Sequence, residues 1–389
     1  MKEWNGLSEE LDRLREQELY RTMTVLEGPQ TTVVEAEGRP QRLFSSNNYL
    51  DLANDPEVKA AARGALEQYG VGAGGSRLTT GTGPLHVCLE EELARFKGRE
   101  AALVFNTGYM ANVGILSALM GRGDVIFSDQ LNHASIIDGC RLSGAEVVVY
   151  RHNDMADLED KLRAYRGRKG LIVSDGVFSM DGDLVPLPQL VELAKRYGVR
   201  TMIDEAHATG VVGATGRGTE EYYHMEGSVD VLMGTLSKAV GSEGGFVCGS
   251  AELIQYLTNK ARSFIFSTAL SPVTMAAGLR GLQKIQEEPQ RVAQLRDNMA
   301  FLCRELGRYG IPAQSDSAIL PIIVGEEKGA MAAMEALKER GYYVSAIRYP
   351  TVARGSARLR VALMSSHTRD ELAGLAQALA CVLGRNTER

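Results

Sequence analysis

The feature that most constrains the fold is a series of short apolar runs that alternate with helical segments. Such nearly continuous apolar runs are typical of strands covered on both faces of a parallel sheet. They predict strands at residues 101–105, 124–127, 146–150, 170–173, 199–203 and 230–233. Amphipathic segments such as 187–197 lie between them. The alternation predicts an α/β fold with a mostly parallel sheet and right-handed crossovers.

The pattern changes in the last third of the chain. A long helical stretch at 288–309 leads to predicted strands at 319–324, 342–347 and 358–363, and a last helix begins at Thr368. We therefore predict three regions in the 389-residue chain. They are an N-terminal helix and β segment over 1–46, a large α/β domain over 47–273 and a smaller α+β domain over 274–389.

Composition and charge argue against several other classes of protein. A net charge of −6 without a Lys/Arg run disfavours a nucleic-acid partner. The uncharged stretch at 101–121 has the length of a membrane span, but its polar residues favour a buried strand followed by a buried helix. The charged N-terminus does not resemble a signal peptide. Five cysteines without a C-x-x-C pair predict no disulfide framework and no metal site, and they indicate a cytoplasmic protein.

One glycine cluster matches a dinucleotide-binding pattern in form only. Gly70, Gly72 and Gly75 give G-x-G-x-x-G within GVGAGGSRLTTGTG (70–83). That fingerprint follows a strand and opens a helix, whereas here a predicted helix at 56–69 precedes it and a loop follows. An NAD-dependent dehydrogenase remains as a distant alternative that rests on this motif alone.

Charged and polar residues follow two of the predicted strands. Asp204 and His207 come after the strand at 199–203, at the edge where open α/β sheets bind ligands. Alone, they also fit an aspartate that caps a loop beside a packed histidine. Lys238 stands in a glycine-rich turn after the strand at 230–233, and only one other charged residue, Glu243, lies between residues 231 and 249. Desolvation makes the neutral amine of such a lysine available for Schiff-base chemistry, although a lysine at the surface remains the alternative.

A third strand end carries an anion-binding pattern. In FNTGYMAN (105–112) a strand ends and a helix begins at Gly108, so free backbone N–H groups favour an anion there, and Tyr109 supplies a ring. A simple helix cap has the same appearance. The hydroxyls of Thr235 and Ser237 also suit a phosphate. A lysine, an acid, an aromatic ring and phosphate ligands are together the parts that bind pyridoxal 5′-phosphate (PLP).

The order of seven motifs resembles that of the α-oxoamine synthases, which are fold-type I PLP-dependent transferases of the aspartate-aminotransferase fold. The motifs span nearly the whole chain: SNNYL (46–50), GGSRLTTGT (74–82), SDQLNHASIIDGCRLS (128–143), SDGVFSMDGD (174–183), DEAHATG (204–210), GTLSKAVG (234–241) and RLRVALMSSH (358–367). The resemblance implies an acyltransferase with PLP as its cofactor and a homodimer with active sites at the subunit interface.

The resemblance also implies a role for each matching residue. Lys238 binds the PLP aldehyde and later moves the substrate Cα proton, Asp204 holds the pyridine nitrogen protonated, and His133 stacks on the ring. The other implied cofactor ligands are Gly108, Tyr109, Ser179, His207, Thr235, Ser237 and, from the second subunit, Ser267 and Thr268. The implied substrate ligands are Arg21, Asn47, His133, Thr351 and Arg360.

Within the family, four further motifs favour members that condense L-alanine with a pimeloyl thioester, on CoA or an acyl-carrier protein, in biotin biosynthesis. They are RLTTGT (77–82), YRHNDM (150–155), SKAVGSEGGF (237–246) and FIFSTALSP (264–272). A sister group that joins glycine to acetyl-CoA shares other motifs and remains the alternative. Arg21, Arg348 and Arg354 are candidates for the distal pimeloyl carboxylate, with surface arginines as the alternative. The chain departs from the family pattern at Asp51, Tyr109 and Glu205.

Overall fold

The computed structural model describes residues 6–17 and 19–385. The remaining positions, which belong to the predicted N-terminal and C-terminal regions, lie outside the described residues. The chain begins with helix α1 (Leu7–Glu16) and three short strands, β1 (Leu26–Glu27), β2 (Val33–Ala36) and β3 (Arg39–Leu43). β2 pairs antiparallel with both β1 and β3.

The central element is a seven-stranded sheet. Its strands are β4 (Ala101–Phe105), β5 (Val125–Asp129), β6 (Glu146–Tyr150), β7 (Gly170–Asp175), β8 (Arg200–Asp204), β9 (Val231–Thr235) and β10 (Gly245–Gly249). Their spatial order is β4-β10-β9-β8-β7-β5-β6. Strands β5 to β9 pair in parallel, whereas β10 lies antiparallel between β4 and β9. The carboxyl ends of β7, β8 and β9 therefore lie side by side at one edge.

Helices cover both faces of this sheet. They are α2 (Pro56–Tyr69), α3 (Pro84–Lys97), α4 (Gly108–Leu119), α5 (Ala134–Ser143), α6 (Met155–Ala164), α7 (Leu187–Tyr197), α8 (Thr219–Tyr222), α9 (Ala251–Lys260), α10 (Arg262–Ile265) and α11 (Pro272–Glu287). Alternate strand residues enter different cores. For example, Phe127 and Ile203 pack in one core, and Ile126 and Met202 pack in the other. This two-sided burial is the reason why the strands read as continuous apolar runs.

The last part of the chain forms a smaller α+β unit. It contains α12 (Gln290–Arg308), β11 (Ile319–Gly325), α13 (Glu327–Glu339), β12 (Tyr342–Tyr343), β13 (Ser345–Ile347), β14 (Ala357–Ala362) and α14 (Arg369–Val382). β14 pairs antiparallel with β11 and β13. β12 instead pairs in parallel with β3, so the two ends of the chain share one small sheet.

The fold class predicted from the sequence is confirmed, with two differences in detail. β10 was not among the predicted strands, and the strand predicted at 342–347 is divided between β12 and β13, which belong to different sheets. The division into three regions stays a prediction. Within residues 6–17 and 19–385, no helix has both the length and the apolar character needed to cross a membrane.

Candidate active site

A cavity of about 230 Å³ opens at the carboxyl edge of the large sheet. Nine of the residues predicted to act at the site line it: Gly108, Tyr109, His133, Ser179, Asp204, His207, Thr235, Ser237 and Lys238. They come from the last residues of β8 and β9 and from loops and helix starts that follow β4, β5, β7, β8 and β9. The sheet topology thus brings together residues that are up to 130 positions apart in the sequence.

Lys238 lies in the turn between β9 and β10. The pKa of Lys238 is lowered to about 8, chiefly by burial and also by the charge of Arg360, while Asp204 and Asp175 oppose the shift. A substantial fraction of this amine is therefore neutral near pH 8, as the isolated lysine in the sequence predicts. A neutral amine can bind an aldehyde or accept a proton.

Asp204 ends β8 and lines the cavity, and each of its carboxylate oxygens accepts a hydrogen bond. Its Oδ1 accepts a hydrogen bond from the backbone N–H of Ala206 at 2.9 Å, and its Oδ2 accepts one from Asn112 Nδ2 at 2.7 Å. Asp204 and Asn112 are both buried. The two donors stabilise the charged carboxylate, which can therefore pair with a cationic group in the cavity.

His133 and Asp175 lie on the neighbouring strand ends. The backbone N–H of His133 donates to Asp175 Oδ2 at 2.9 Å, and the His133 ring contacts Ser135. Burial lowers the pKa of His133. The negative charge of Asp204 opposes this shift, and the positive charge of Lys238 adds to it. Burial and the neighbouring Asp204 raise the pKa of Asp175 well above its usual range.

A second group of hydrogen bonds joins His207 to Arg360. His207 Nδ1 lies 2.7 Å from the Tyr49 hydroxyl, which donates to Asn47 Oδ1 at 3.0 Å. Arg360 Nη2 donates to Asn47 Oδ1 at 3.2 Å, and Arg360 Nε donates to the Ser179 carbonyl oxygen at 2.6 Å. Burial and then the charge of Lys238 lower the pKa of His207 well below its usual range, so this histidine is neutral.

Arg360 is a buried cation that contacts neutral acceptors. It is 6% exposed, and within the described part of the chain it makes no ion pair with a carboxylate. A buried charge without a counter-ion is unfavourable. The position is therefore suited to an anionic ligand.

The amino-terminal end of α4 forms another side of the cavity. Thr107 caps this helix by accepting from the Met110 N–H at 3.0 Å, which leaves the first N–H groups of the helix free. A Cβ atom on Gly108 would lie 3.2 Å from the Met233 side chain, so the backbone approaches β9 closely. The Thr235 hydroxyl lies at the same end and contacts Ser237 Oγ at 2.7 Å. N–H groups and hydroxyls together suit a phosphate.

A buried ion pair supports the loop that follows Asp204. Lys97 Nζ lies 3.5 Å from Glu205 Oε2, and both side chains are 1% exposed. Lys97 Nζ also donates to the Arg217 carbonyl oxygen at 2.5 Å, and Glu205 accepts from the Thr219 N–H at 3.1 Å. A side chain at Gly218 would overlap the Glu205 carboxylate. Glu205, one of the departures from the family pattern, thus connects both ends of the 205–219 loop.

Not all of the predicted site residues lie at this cavity. Asn47 and Arg360 reach it through their contacts with Tyr49 and Ser179, whereas Arg21 and Thr351 line a second cavity of about 500 Å³ beside Arg348. Ser267 donates to the Ser263 carbonyl oxygen, and the Thr268 carbonyl oxygen accepts from Asn106. The predicted contact of Ser267 and Thr268 with a partner's cofactor stays a prediction.

Four residues at the site were not among the predicted ones. Tyr49, Asn112, Ser135 and Asp175 are buried and bond directly to predicted residues. The sequence held one signal for them: each stands inside a motif already singled out. Asn112 is also a polar residue within an otherwise apolar helical stretch.

The chain matches the family described as aminotransferase class I and II over residues 39–379. It therefore belongs to that family. The glycine cluster at 70–83 follows helix α2 rather than a strand, so the dinucleotide motif lacks its structural context.

Individual relatives and solved structures are similar to the chain over most of its length. The 8-amino-7-oxononanoate synthase of Geobacter sulfurreducens is 50% identical over 379 residues, which cover 96% of this chain and 97% of that protein. The solved 8-amino-7-oxononanoate synthase of Francisella tularensis is 30% identical, with a TM-score of 0.76 over 87% of this chain and 96% of that one. A serine palmitoyltransferase variant from S. paucimobilis, solved with PLP and myriocin, is 32% identical with a TM-score of 0.92 over 98% of both chains. The resemblance predicted from the sequence motifs is confirmed.

Proposed function

We propose that the protein is a PLP-dependent acyltransferase that condenses L-alanine with a pimeloyl thioester to 8-amino-7-oxononanoate, a step of biotin biosynthesis. The other products are CO₂ and the free thiol of CoA or of an acyl-carrier protein. Relatives with about half of their residues identical carry the name of this synthase. We also propose a cytoplasmic location, which the cysteine pattern supports.

The observation that carries the proposal is Lys238, an amine with a pKa of about 8 in a cavity that also contains a hydrogen-bonded carboxylate, Asp204. These groups fit PLP. Lys238 suits the aldehyde, Asp204 suits the ring nitrogen, and the α4 N-terminus with Thr235 suits the phosphate. Bound there, PLP supplies an electron-withdrawing ring that accepts the electron pair left when the substrate Cα–H bond breaks.

The amino acid would be held by Arg360. This buried cation lacks a carboxylate partner in the described residues, and its planar fork matches the two oxygens of a substrate carboxylate. Asn47 Oδ1 accepts a hydrogen bond from Arg360 Nη2 and would fix the orientation of the guanidinium group.

The acyl group would lie toward the second cavity. Arg21, Thr351 and Arg348 line it together with apolar side chains such as Met331 and Met334. A methylene chain that ends in a carboxylate needs an apolar wall and a cation. Each buried methylene contributes about 0.8 kcal/mol, so four or five favour a long acyl chain over acetyl by a few kcal/mol.

The remaining chemistry is proton movement and charge stabilisation by the chain's own residues. Lys238 takes the Cα proton of alanine, and Cα then forms a bond to the thioester carbonyl carbon while the carbon–sulfur bond breaks. The thiolate takes up a proton from solvent and leaves as the thiol. The carboxylate of the alanine part then departs as CO₂, and Lys238 returns a proton to Cα. His133 lines the cavity and would donate a hydrogen bond to the carbonyl oxygen as that oxygen gains charge.

A homodimer is part of the proposal. Exposed apolar side chains cluster around the 70–83 loop and the 266–270 segment, which are joined by a hydrogen bond between Ala269 N–H and the Gly75 carbonyl oxygen. They include Val71, 79% exposed, and Phe266, 71% exposed. An apolar surface of this kind is typical of a subunit interface.

A product assay tests the function. The PLP-loaded protein is given L-alanine with pimeloyl-CoA, or glycine with acetyl-CoA, and the products are identified by mass spectrometry. We expect 8-amino-7-oxononanoate from the first pair at a higher kcat/KM than any product of the second. Borohydride reduction should link PLP to the peptide that contains Lys238. Lys238→Ala should be inactive, and Lys260→Ala, at an exposed helix end, should match the unmodified enzyme.

Two outcomes would contradict the proposal. Preference for glycine with acetyl-CoA would assign the chain to the alternative activity. Labelling at a lysine other than Lys238 would show that the cavity does not hold the cofactor as proposed.

A further inference from the structure

A continuous chain of hydrogen bonds connects Asp204 to the ring of His133. Asn112 Nδ2 donates to Asp204 Oδ2 at 2.7 Å and to Ser135 Oγ at 2.9 Å. Ser135 Oγ in turn lies 2.7 Å from His133 Nδ1. Asn112 and Ser135 are each 1% exposed, so these bonds are shielded from water.

The direction of each bond follows from the one before it. The Asp204 carboxylate can only accept, so the amide nitrogen of Asn112, and not its oxygen, must face it. That nitrogen has two hydrogens, and the second one makes Ser135 Oγ an acceptor. The single hydroxyl hydrogen of Ser135 is then available to His133 Nδ1. The Ser135 backbone N–H, 3.2 Å from the same Nδ1, also donates to it.

His133 Nδ1 therefore accepts from two donors and carries no proton. We propose that Asn112 and Ser135 are positioning residues that hold the His133 imidazole neutral, with its proton on Nε2 as the donor available to a ligand. Nε2 makes no hydrogen bond to any residue that the structure describes, and His133 lines the cavity. We assign the substrate carbonyl oxygen as the acceptor of this hydrogen bond, and that assignment rests on the proposed function.

This relay, the hydrogen-bonded chain Asp204–Asn112–Ser135–His133, joins two helices that pack against each other. Asn112 lies on α4 and Ser135 on α5, and Asp204 ends β8. The titratable groups that face His133 are Asp204 at the end of β8, His207 after β8, Asp175 at the end of β7 and Lys238 after β9. Asn112 Oδ1 is buried without a hydrogen-bond partner in the described residues, which is unfavourable. The amide is therefore oriented by the two hydrogen bonds that its nitrogen donates.

The test replaces Ser135 and follows the His133 ring directly. The enzyme is labelled with ¹⁵N-histidine, and NMR reports the protonation of both ring nitrogens of His133 over a pH series, with and without PLP. The His133→Asn variant assigns the signals. In the unmodified enzyme we expect a proton on Nε2 and none on Nδ1.

Ser135→Ala removes one donor to the neutral ring, and one hydrogen bond contributes about 0.5–1.5 kcal/mol. The pKa of His133 should rise by about 0.4–1.1, because 1.36 kcal/mol corresponds to one pKa unit. By the same conversion, kcat should fall about 2- to 13-fold while KM for alanine stays nearly constant. Asn112→Leu should act in the same direction. Ser135→Thr, which keeps the hydroxyl, should restore the original pKa.

Ser143→Ala is the matched control, because Ser143 lies on the same helix and its hydroxyl donates only to the Cys140 carbonyl oxygen. A proton on Nδ1 in the unmodified enzyme would overturn the proposal, even if no variant folds. Identical titration of His133 in Ser135→Ala and Ser143→Ala would also overturn it. The NMR readings need no acyl substrate, so failure of the condensation assay would count against the proposed function alone.

Discussion

Lys97→Met should destabilise the protein strongly, because it leaves the Glu205 carboxylate buried without its counter-ion. The two side chains are each 1% exposed and their charged atoms are 3.5 Å apart. At an effective dielectric constant of about 20, that separation gives an attraction of about 5 kcal/mol. Breaking one side of a buried pair typically costs about 3–5 kcal/mol. The Arg217 carbonyl oxygen also loses its donor.

The loss should depend on pH in a definite direction. Burial already raises the pKa of Glu205, a shift that Lys97 opposes, so removal of Lys97 raises the pKa further. A carboxyl with a raised pKa in the folded state binds more protons than in the unfolded state. Stability therefore falls as pH rises above the unfolded value of about 4.3. We expect a loss of about 3 kcal/mol at pH 8 and a much smaller one at pH 5.

Urea unfolding of the cofactor-free protein, followed by far-UV circular dichroism, measures this difference. The double variant Lys97→Met/Glu205→Gln should recover most of the stability, because neither charge remains. Lys169→Met is the matched control, since that lysine pairs with Asp124 at the surface with 64% of its side chain exposed. A loss no larger than that of the control, or one that is the same at pH 5 and pH 8, would refute this account of the 205–219 loop.

Three further outcomes follow from the described contacts. His152 lies 3.0 and 2.8 Å from two aspartates, and although burial opposes its charging, these bonds raise its pKa to about 10. His152→Gln should therefore lower stability by about 1–3 kcal/mol at pH 6.5, a difference that disappears as pH rises through 10, measured by urea unfolding. Gly245→Ala would place a Cβ 2.5 Å from the Thr107 carbonyl oxygen, and should weaken PLP binding at least about tenfold in a fluorescence titration. Asp204→Asn should keep native circular dichroism and lower kcat at least about 100-fold in the product assay, because an amide cannot stabilise a protonated ring nitrogen as a carboxylate does.

Each of these outcomes has a contradicting result. If the stability of His152→Gln and that of the unmodified protein depend on pH in the same way, the histidine is not charged in the folded state. Unchanged PLP affinity in Gly245→Ala would show that the turn before α4 does not contact the phosphate. Near-normal turnover of Asp204→Asn would mean that another group holds the ring proton.

Elements with a local signature could be predicted from the sequence. Strands β4 and β6 and helix α7 have the predicted bounds because apolar runs and helical spacing are local properties. Asp204 could be singled out because it follows such a run directly, and Lys238 because it stands in a glycine-rich turn with few other charges. β10 escaped prediction because glycines flank its three apolar residues, and only its pairing with β4 and β9 makes it a strand.

The relay from Asp204 to His133 shows which contacts could not be predicted from the sequence. Asn112 and Ser135 are 23 positions apart and meet only because α4 and α5 pack together. Asp175 lies beside Asp204 only through the register of β7 and β8. No spacing rule encodes such contacts between separate elements, although the residue types in the motifs point to a polar site.

The position of β10 has a consequence for how the chain is made. β4 is an edge strand whose partner in the sheet is β10, and the paired residues Phe105 and Gly245 are 140 positions apart. Synthesis from the N-terminus therefore produces β4 and the amino-terminal end of α4 long before the strand that attaches them to the sheet. Until residue 249 has left the ribosome, β4 has an unpaired edge and an apolar surface exposed to other nascent chains. Lys238 emerges only shortly before β10, so the cofactor pocket is completed late, after most of the sheet is already available for folding.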